Sequence, residues 1–184
     1  MESQKKMKIV CLGDSITYGF PFGPRVSWVS MLQQALGVEV INQGINGNTT
    51  TDMIGRFENS VSKHNPTHLI IMGGINDVIC AESFDRICWN LREMIEKARE
   101  AGIEVILGIP TAVDEPYWEK LIMRIRRWMK DYAREHDLEV IDFAAAFYDE
   151  NGNLKSELLL ADGGHPDING YRAMFDQIDL SIFA

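Results

Sequence analysis

The stretch Ile9-Val10-Cys11-Leu12-Gly13-Asp14-Ser15-Ile16-Thr17 sets the reading of this chain. An apolar run, Ile9 to Leu12, ends abruptly in Gly-Asp-Ser, and residues that open a loop follow. A run bounded in this way reads as a buried strand that delivers a serine to the rim of a sheet. A serine there can be a turn residue, a helix cap or a nucleophile, and these residues alone do not choose.

Working outward, short apolar runs recur at residues 38–41, 68–72, 103–109 and 138–143. The segments between them carry apolar residues at helical spacing. Ser27 can cap a helix bearing Trp28, Val29, Leu32, Ala35 and Leu36, which Gly37 ends. Thr49 to Thr51 offer caps for a helix with Met53, Ile54, Phe57 and Val61 on one face, and Pro66 separates it from the next strand. Residues 84–101 give the clearest helix, with Phe84, Ile87, Cys88, Leu91, Met94, Ile95 and Ala98 in one stripe and Gly102 as its stop. After a loop at 111–116, Trp118, Leu121, Ile122, Ile125, Met129 and Tyr132 are expected inward, with Arg124, Arg126, Arg127 and Lys130 on a solvated face. Pro166 can start a last helix bearing Ile168, Tyr171, Met174, Phe175 and Ile178. Residues 18–24 are too rich in Gly and Pro for a regular element and are expected as an exposed loop carrying aromatics. Five apolar strands alternating with amphipathic helices predict an α/β fold whose parallel sheet is covered on both faces. Right-handed crossovers leave only a few doubly wound orders. With no repeat, linker or low-complexity segment, residues 1–184 read as one domain.

Composition narrows the partners. A hydrophobic fraction of 46% and a charged fraction of 24% are ordinary for a water-soluble globular chain. The net charge of -9 argues against a nucleic-acid backbone or an anionic membrane as main partner. The lysines of residues 1–8 resemble a leader's charged start, but the apolar run after them is far too short for one. No window approaches the ~18 apolar residues of a membrane span. The three cysteines, Cys11, Cys80 and Cys88, lack zinc-like spacing and read as reduced core thiols in a cytoplasmic protein. Pro66 between His64 and His68 breaks helical geometry and argues against a metal site there, and His136 reads as structural at a helix end.

In open α/β sheets ligands bind beyond the carboxyl ends of the strands. Gly13-Asp14-Ser15, the loop 44–48, Gly74 to Asp77 and the loop Asp162 to His165 are all expected there. Acyl transfer by a serine needs a general base, a group that orients it, and donors for the oxyanion. Asp162 and His165 are three residues apart, so on one turn the carboxylate can reach its neighbour's imidazole; a backbone carbonyl could orient the ring instead. The two glycines between them are expected to keep that contact unobstructed. The amides of Ser15 and Gly47 and the side-chain amide of Asn76 are candidate oxyanion donors. Gly47 can equally serve conformation and Asn76 an Asx turn, while Asp14 and Asp77 read as braces for their loops.

Taken together, Gly13-Asp14-Ser15, Gly47, Gly74-x-Asn76-Asp77 and Asp162-x-x-His165-Pro166 resemble the four motif blocks of the SGNH hydrolases, the GDSL esterases and lipases. They occur in order and span nearly the whole chain. The resemblance implies a flavodoxin-like three-layer α/β/α sandwich with a five-stranded parallel sheet in the order 2-1-3-4-5. It implies Ser15, Asp162 and His165 as a catalytic triad, and Ser15, Gly47 and Asn76 as the oxyanion hole. Gly164 departs from the family by replacing a position often aliphatic. The G-D-S-I-T sequence at 13–17 is not a G-x-S-x-G elbow, so no strained nucleophile is expected. The expectation is a serine esterase without metal or cofactor, acting on a small acyl ester with acetyl favoured. An acetylated sugar, a lysophospholipid or a thioester all fit as substrates. Tyr18, Phe20, Phe22, Tyr117 and Trp118 can edge the pocket, with inward packing the favoured reading for Trp118. The competing class is a non-catalytic binding module on the same scaffold.

Overall fold

The computed structural model describes residues 6–184. The leader reading rests mostly on residues 1–5, outside that range. Five parallel strands form one sheet: β1 (Lys8–Gly13), β2 (Glu39–Gly44), β3 (His68–Met72), β4 (Glu104–Gly108) and β5 (Glu139–Ile141), in the spatial order β2-β1-β3-β4-β5. The layers follow from chirality. The chain steps from β1 out to β2, then returns past β1 to β3, β4 and β5, so right-handed crossovers send the first connection to one face and the later ones to the other. Accordingly α2 (Trp28–Leu36) packs with α8 (Ile168–Phe175), while α3 (Thr50–Gly55), α6 (Phe84–Glu100) and α7 (Pro116–Glu135) pack in succession. Helices therefore flank both faces, and β1 and β3, the central pair, are buried almost throughout.

The strand order, not the strand direction, reverses between β1 and β3, which makes their carboxyl ends the switch point of the parallel sheet. The register sets the level of everything beyond it. Gly13 is paired with both Gly44 and Met72, so the chain leaves β1, β2 and β3 side by side. Among the described residues no helix is long and apolar enough to cross a membrane.

Several elements differ from the reading of the sequence. Residues 15–18 are not loop but a one-turn helix, α1 (Ser15–Tyr18), because Asp14 caps it and Gly19 ends it at φ 103. The helix expected after Thr49 breaks at Arg56 into α3 and α4 (Phe57–Ser60). A further short helix, α5 (Ile75–Ile79), follows Gly74. Pro166 does not start the last helix; it forms an isolated bridge with Leu159, and Asp167 is the cap. Ile168 is exposed in consequence, while Tyr171 and Met174 are fully buried. On α7, Arg126 is buried rather than solvated. Cys11 and Cys88 are buried as expected, but Cys80 is exposed beyond α5.

Candidate active site

Ser15 stands at the first position of α1, where its N–H has no intrahelical acceptor. Asp14 accepts from the Ile16 amide at 2.9 Å and so fixes the start of that turn. Gly13 is required by crowding: a Cβ there would lie 2.0 Å from Thr17 Oγ1 and 3.0 Å from the Met72 carbonyl oxygen. Ser15 is not among the residues with positive φ, in keeping with an unstrained serine.

The Asp162–His165 turn comes from the other end of the chain and lands on Ser15. Ser15 Oγ lies 2.9 Å from His165 Nε2, and His165 Nδ1 lies 2.6 Å from Asp162 Oδ2. The ring is thus held by a carboxylate rather than by a backbone carbonyl. The same carboxylate folds its own turn, since Asp162 Oδ1 accepts from the amides of Gly164 at 2.9 Å and His165 at 3.0 Å. Burial pushes the Asp162 carboxyl up, but the two amides and the ring outweigh it and hold the group below the usual carboxylate range. An ionised carboxylate only accepts, which places the proton on Nδ1 and leaves Nε2 to accept from the Ser15 hydroxyl. Gly163 has φ +69, and its role is conformational and steric: a Cβ there would lie 3.2 Å from Asp114 Cβ. Around Gly164 there is open space, so its missing side chain is not needed for the contact.

Two polar hubs gather the remaining blocks. Asn76 Nδ2 donates to the Asn48 carbonyl at 2.9 Å. Asp77 accepts from the Thr50 amide at 2.9 Å and from the Thr50 hydroxyl at 2.5 Å, which ties α5 to the start of α3. Arg56 donates to the carbonyls of Gly13 at 2.8 Å and Gln43 at 2.9 Å, and to Asn48 Oδ1 at 2.7 Å. Sequence reasoning missed Arg56, because a charged residue in a helical segment reads as solvated. It also missed Asn90, which is buried within α6 and donates to the hydroxyls of Thr50 and Thr51 at 2.9 Å each. His64 and His68 have different partners, Gln43 and the Thr67–Glu104 pair.

Ser15, Asn76 and His165 line one pocket of about 130 Å³ whose apolar wall is Ile16, Ile75, Ile79, Val113 and Trp118. Trp118 meets both readings: it packs against the core and also forms part of that wall. Gly47 is not; it sits in the exposed loop whose next residue holds Asn76. Phe20 stacks at a tilt on His165, with ring centroids 4.6 Å apart, and its carbonyl accepts from the Tyr171 hydroxyl at 2.7 Å. A larger concavity of about 650 Å³ runs along α7 and residues 142–152, but it contains none of these groups.

Residues 11–173 match the GDSL-like Lipase/Acylhydrolase family. The chain belongs to that family. This GDSL hydrolase of the SGNH superfamily is a carboxylic ester hydrolase. It is 28% identical to an arylesterase of Vibrio mimicus, over 89% of this chain and 82% of that protein. It is also 28% identical to an acetylxylan esterase of Geobacillus stearothermophilus, over 89% of this chain and 88% of the relative. That esterase has been solved as two catalytic mutants, one with a serine and one with an aspartate replaced by alanine. The serine mutant superposes with a TM-score of 0.81 over 96% of this chain and 94% of its own. A G-D-S-L family structure from Desulfitobacterium hafniense gives a TM-score of 0.86 at 30% identity, covering 93% of this chain and 97% of that one.

Proposed function

We propose that this GDSL hydrolase is a serine esterase that removes a short acyl group, acetyl first, through an acyl-enzyme. The observation that carries the reading is the unbroken line from Ser15 Oγ through both nitrogens of His165 to Asp162, opening on a small apolar pocket. Ser15 Oγ forms a bond to the ester carbonyl carbon as His165 Nε2 takes the hydroxyl proton. The oxyanion draws on the Ser15 amide and the Asn76 side chain, both at the pocket, while Gly47, outside the pocket lining, serves the loop whose Asn48 carbonyl holds Asn76. Collapse breaks the bond to the leaving oxygen, which receives the proton from Nε2. Water then repeats the sequence, releasing the acid and restoring Ser15. At about 30 Å³ per water-sized group, the pocket holds about four such groups, which suits an acetyl to butyryl chain. An acetylated sugar is the favoured substrate, in line with the acetylxylan esterase among its relatives. That relative's two mutated catalytic residues are of the same types as Ser15 and Asp162.

The test is covalent labelling. A fluorophosphonate is expected to add to Ser15, detected by mass spectrometry, and Ser15→Ala is expected to lose both the adduct and hydrolysis of p-nitrophenyl acetate. An adduct that survives the substitution refutes the assignment, and a wild-type protein with neither adduct nor hydrolysis supports a binding module instead. Relative kcat/KM on acetylated sugars, lysophospholipids and acyl-thioesters then ranks the substrates.

A further inference from the structure

Among the cations along α7, Arg126 alone is buried, at 6% exposure, with a carboxylate on the same helix, Glu119, as its partner. The guanidinium makes four hydrogen bonds: Nε donates to the Pro110 carbonyl at 2.8 Å and Nη2 to the Thr111 carbonyl at 2.5 Å. Nη1 and Nη2 also reach the two oxygens of Glu119, Nη2 at 3.0 Å. Glu119 accepts in addition from the Val113 amide at 2.9 Å and from the Tyr148 hydroxyl. A buried ion pair is a weak device for stability alone. What this one grips is informative: three backbone groups within residues 110–113, just beyond β4.

That segment is where the site leans. Val113 walls the pocket beside Ser15. Its neighbour Asp114 donates from its amide to the carbonyl of Gly163 at 2.7 Å, and Gly163 lies between Asp162 and His165. A Cβ on Gly163 would sit tightly against Asp114 Cβ, at 3.2 Å. A continuous path therefore runs from α7 through the Arg126–Glu119 pair and the 110–114 segment to the turn that carries the base.

We propose that Arg126 and Glu119 are positioning residues that hold the 110–114 segment as a splint against the Asp162–His165 turn and so set the reach of His165 to Ser15. The inference rests on the triad reading above. Lysine cannot replace the fork, because an ammonium presents a single point of donation to four separate acceptors. A misplacement of the base by about 1 Å costs on the order of a hundredfold in rate.

The experiment is a double-mutant cycle on kcat for p-nitrophenyl acetate, made with the whole chain. Arg126→Lys is expected to lower kcat by about ten- to a hundredfold while KM stays within about twofold. In an Asp162→Asn background the same substitution is expected to change kcat by less than about twofold, since the turn no longer carries a functional orienter. Arg127→Lys, on the exposed side of α7, serves as the control. Glu119→Gln carries the same cycle if Arg126→Lys lacks a cooperative unfolding transition. An unchanged kcat in the single variant, or an equal fall in both backgrounds, overturns the positioning role. If Asp162→Asn itself leaves kcat unaltered, the triad reading fails, and this inference fails with it.

Discussion

Asn76 donates from its side-chain nitrogen to the carbonyl of Asn48 at 2.9 Å, so the segment beyond β3 is fastened to the loop beyond β2. The bond orients the amide and uses one of its two hydrogens. The other is left for a ligand in the pocket that Asn76 shares with Ser15. Asn48 is itself held by Arg56, which also grips the Gly13 carbonyl two residues before Ser15. The serine and the amide are thus fixed to one another through Arg56 and Asn48, with no direct bond between them.

Asn76→Ala is expected to lower kcat by about 10²–10³, with KM little changed, because a donor aimed at the oxyanion acts in the transition state. Steady-state kinetics on p-nitrophenyl acetate check it. A change confined to KM makes Asn76 a binding residue.

Asp14 links pH to stability. Burial raises its carboxyl from 3.8 to about 6, partly offset by the Ile16 amide and by His165. With its folded pKa above the unfolded one, its contribution is fully present below pH 3.8 and is lost as the pH rises through about 6. Asp14→Asn keeps a capping oxygen without the charge. The variant is therefore expected to gain on the wild type between pH 4 and pH 7.5, by on the order of 2–3 kcal/mol. Urea unfolding at the two pH values measures the difference, and a constant offset would contradict the buried charge.

Gly44 and Gly55 are expected to respond in opposite directions to alanine. A Cβ at Gly44 would lie 2.1 Å from the Tyr18 amide nitrogen, where backbone on both sides prevents relief. Gly44→Ala is expected to cost about 1–3 kcal/mol or more. Gly55, in α3 with open space around it, is expected to gain about 0.4–1 kcal/mol as alanine. Thermal midpoints give the sign of each.

Trp118 and Ile79 are shared by the Ser15 pocket and a neighbouring groove of about 320 Å³ that also carries Phe84, Ile87 and Leu121. Trp118→Ala is expected to join the two spaces. The ratio of kcat/KM for p-nitrophenyl octanoate over acetate should then rise by about tenfold or more. An unchanged ratio places the acyl chain elsewhere.

Much of this protein is legible in the order of its residues. Apolar runs bounded by Gly and Pro locate the five strands, and β3 falls at 68–72 as read. This works because strand burial and turn chemistry are local properties. The residue types at the site are legible for the same reason that chemistry is: a serine and an asparagine stand just past strand ends, and an aspartate and a histidine share the last loop. Helical charge is where local reading fails. Arg56 and Arg126 look like solvated cations, yet each is half or fully enclosed and bonded to backbone carbonyls from other segments. Trp118 fits the inward stripe of α7 by spacing and packs against the core, but only the tertiary structure shows that it also walls the pocket formed by the segments after β1 and β3 and the last loop. The sequence by itself determined which groups are available and in what elements they sit. Tertiary structure alone decided that Gly13 is paired level with Gly44 and Met72, and that a turn 150 residues away brings His165 to 2.9 Å from Ser15. Register and crossover direction set those distances, and they are properties of the packed sheet rather than of any one segment.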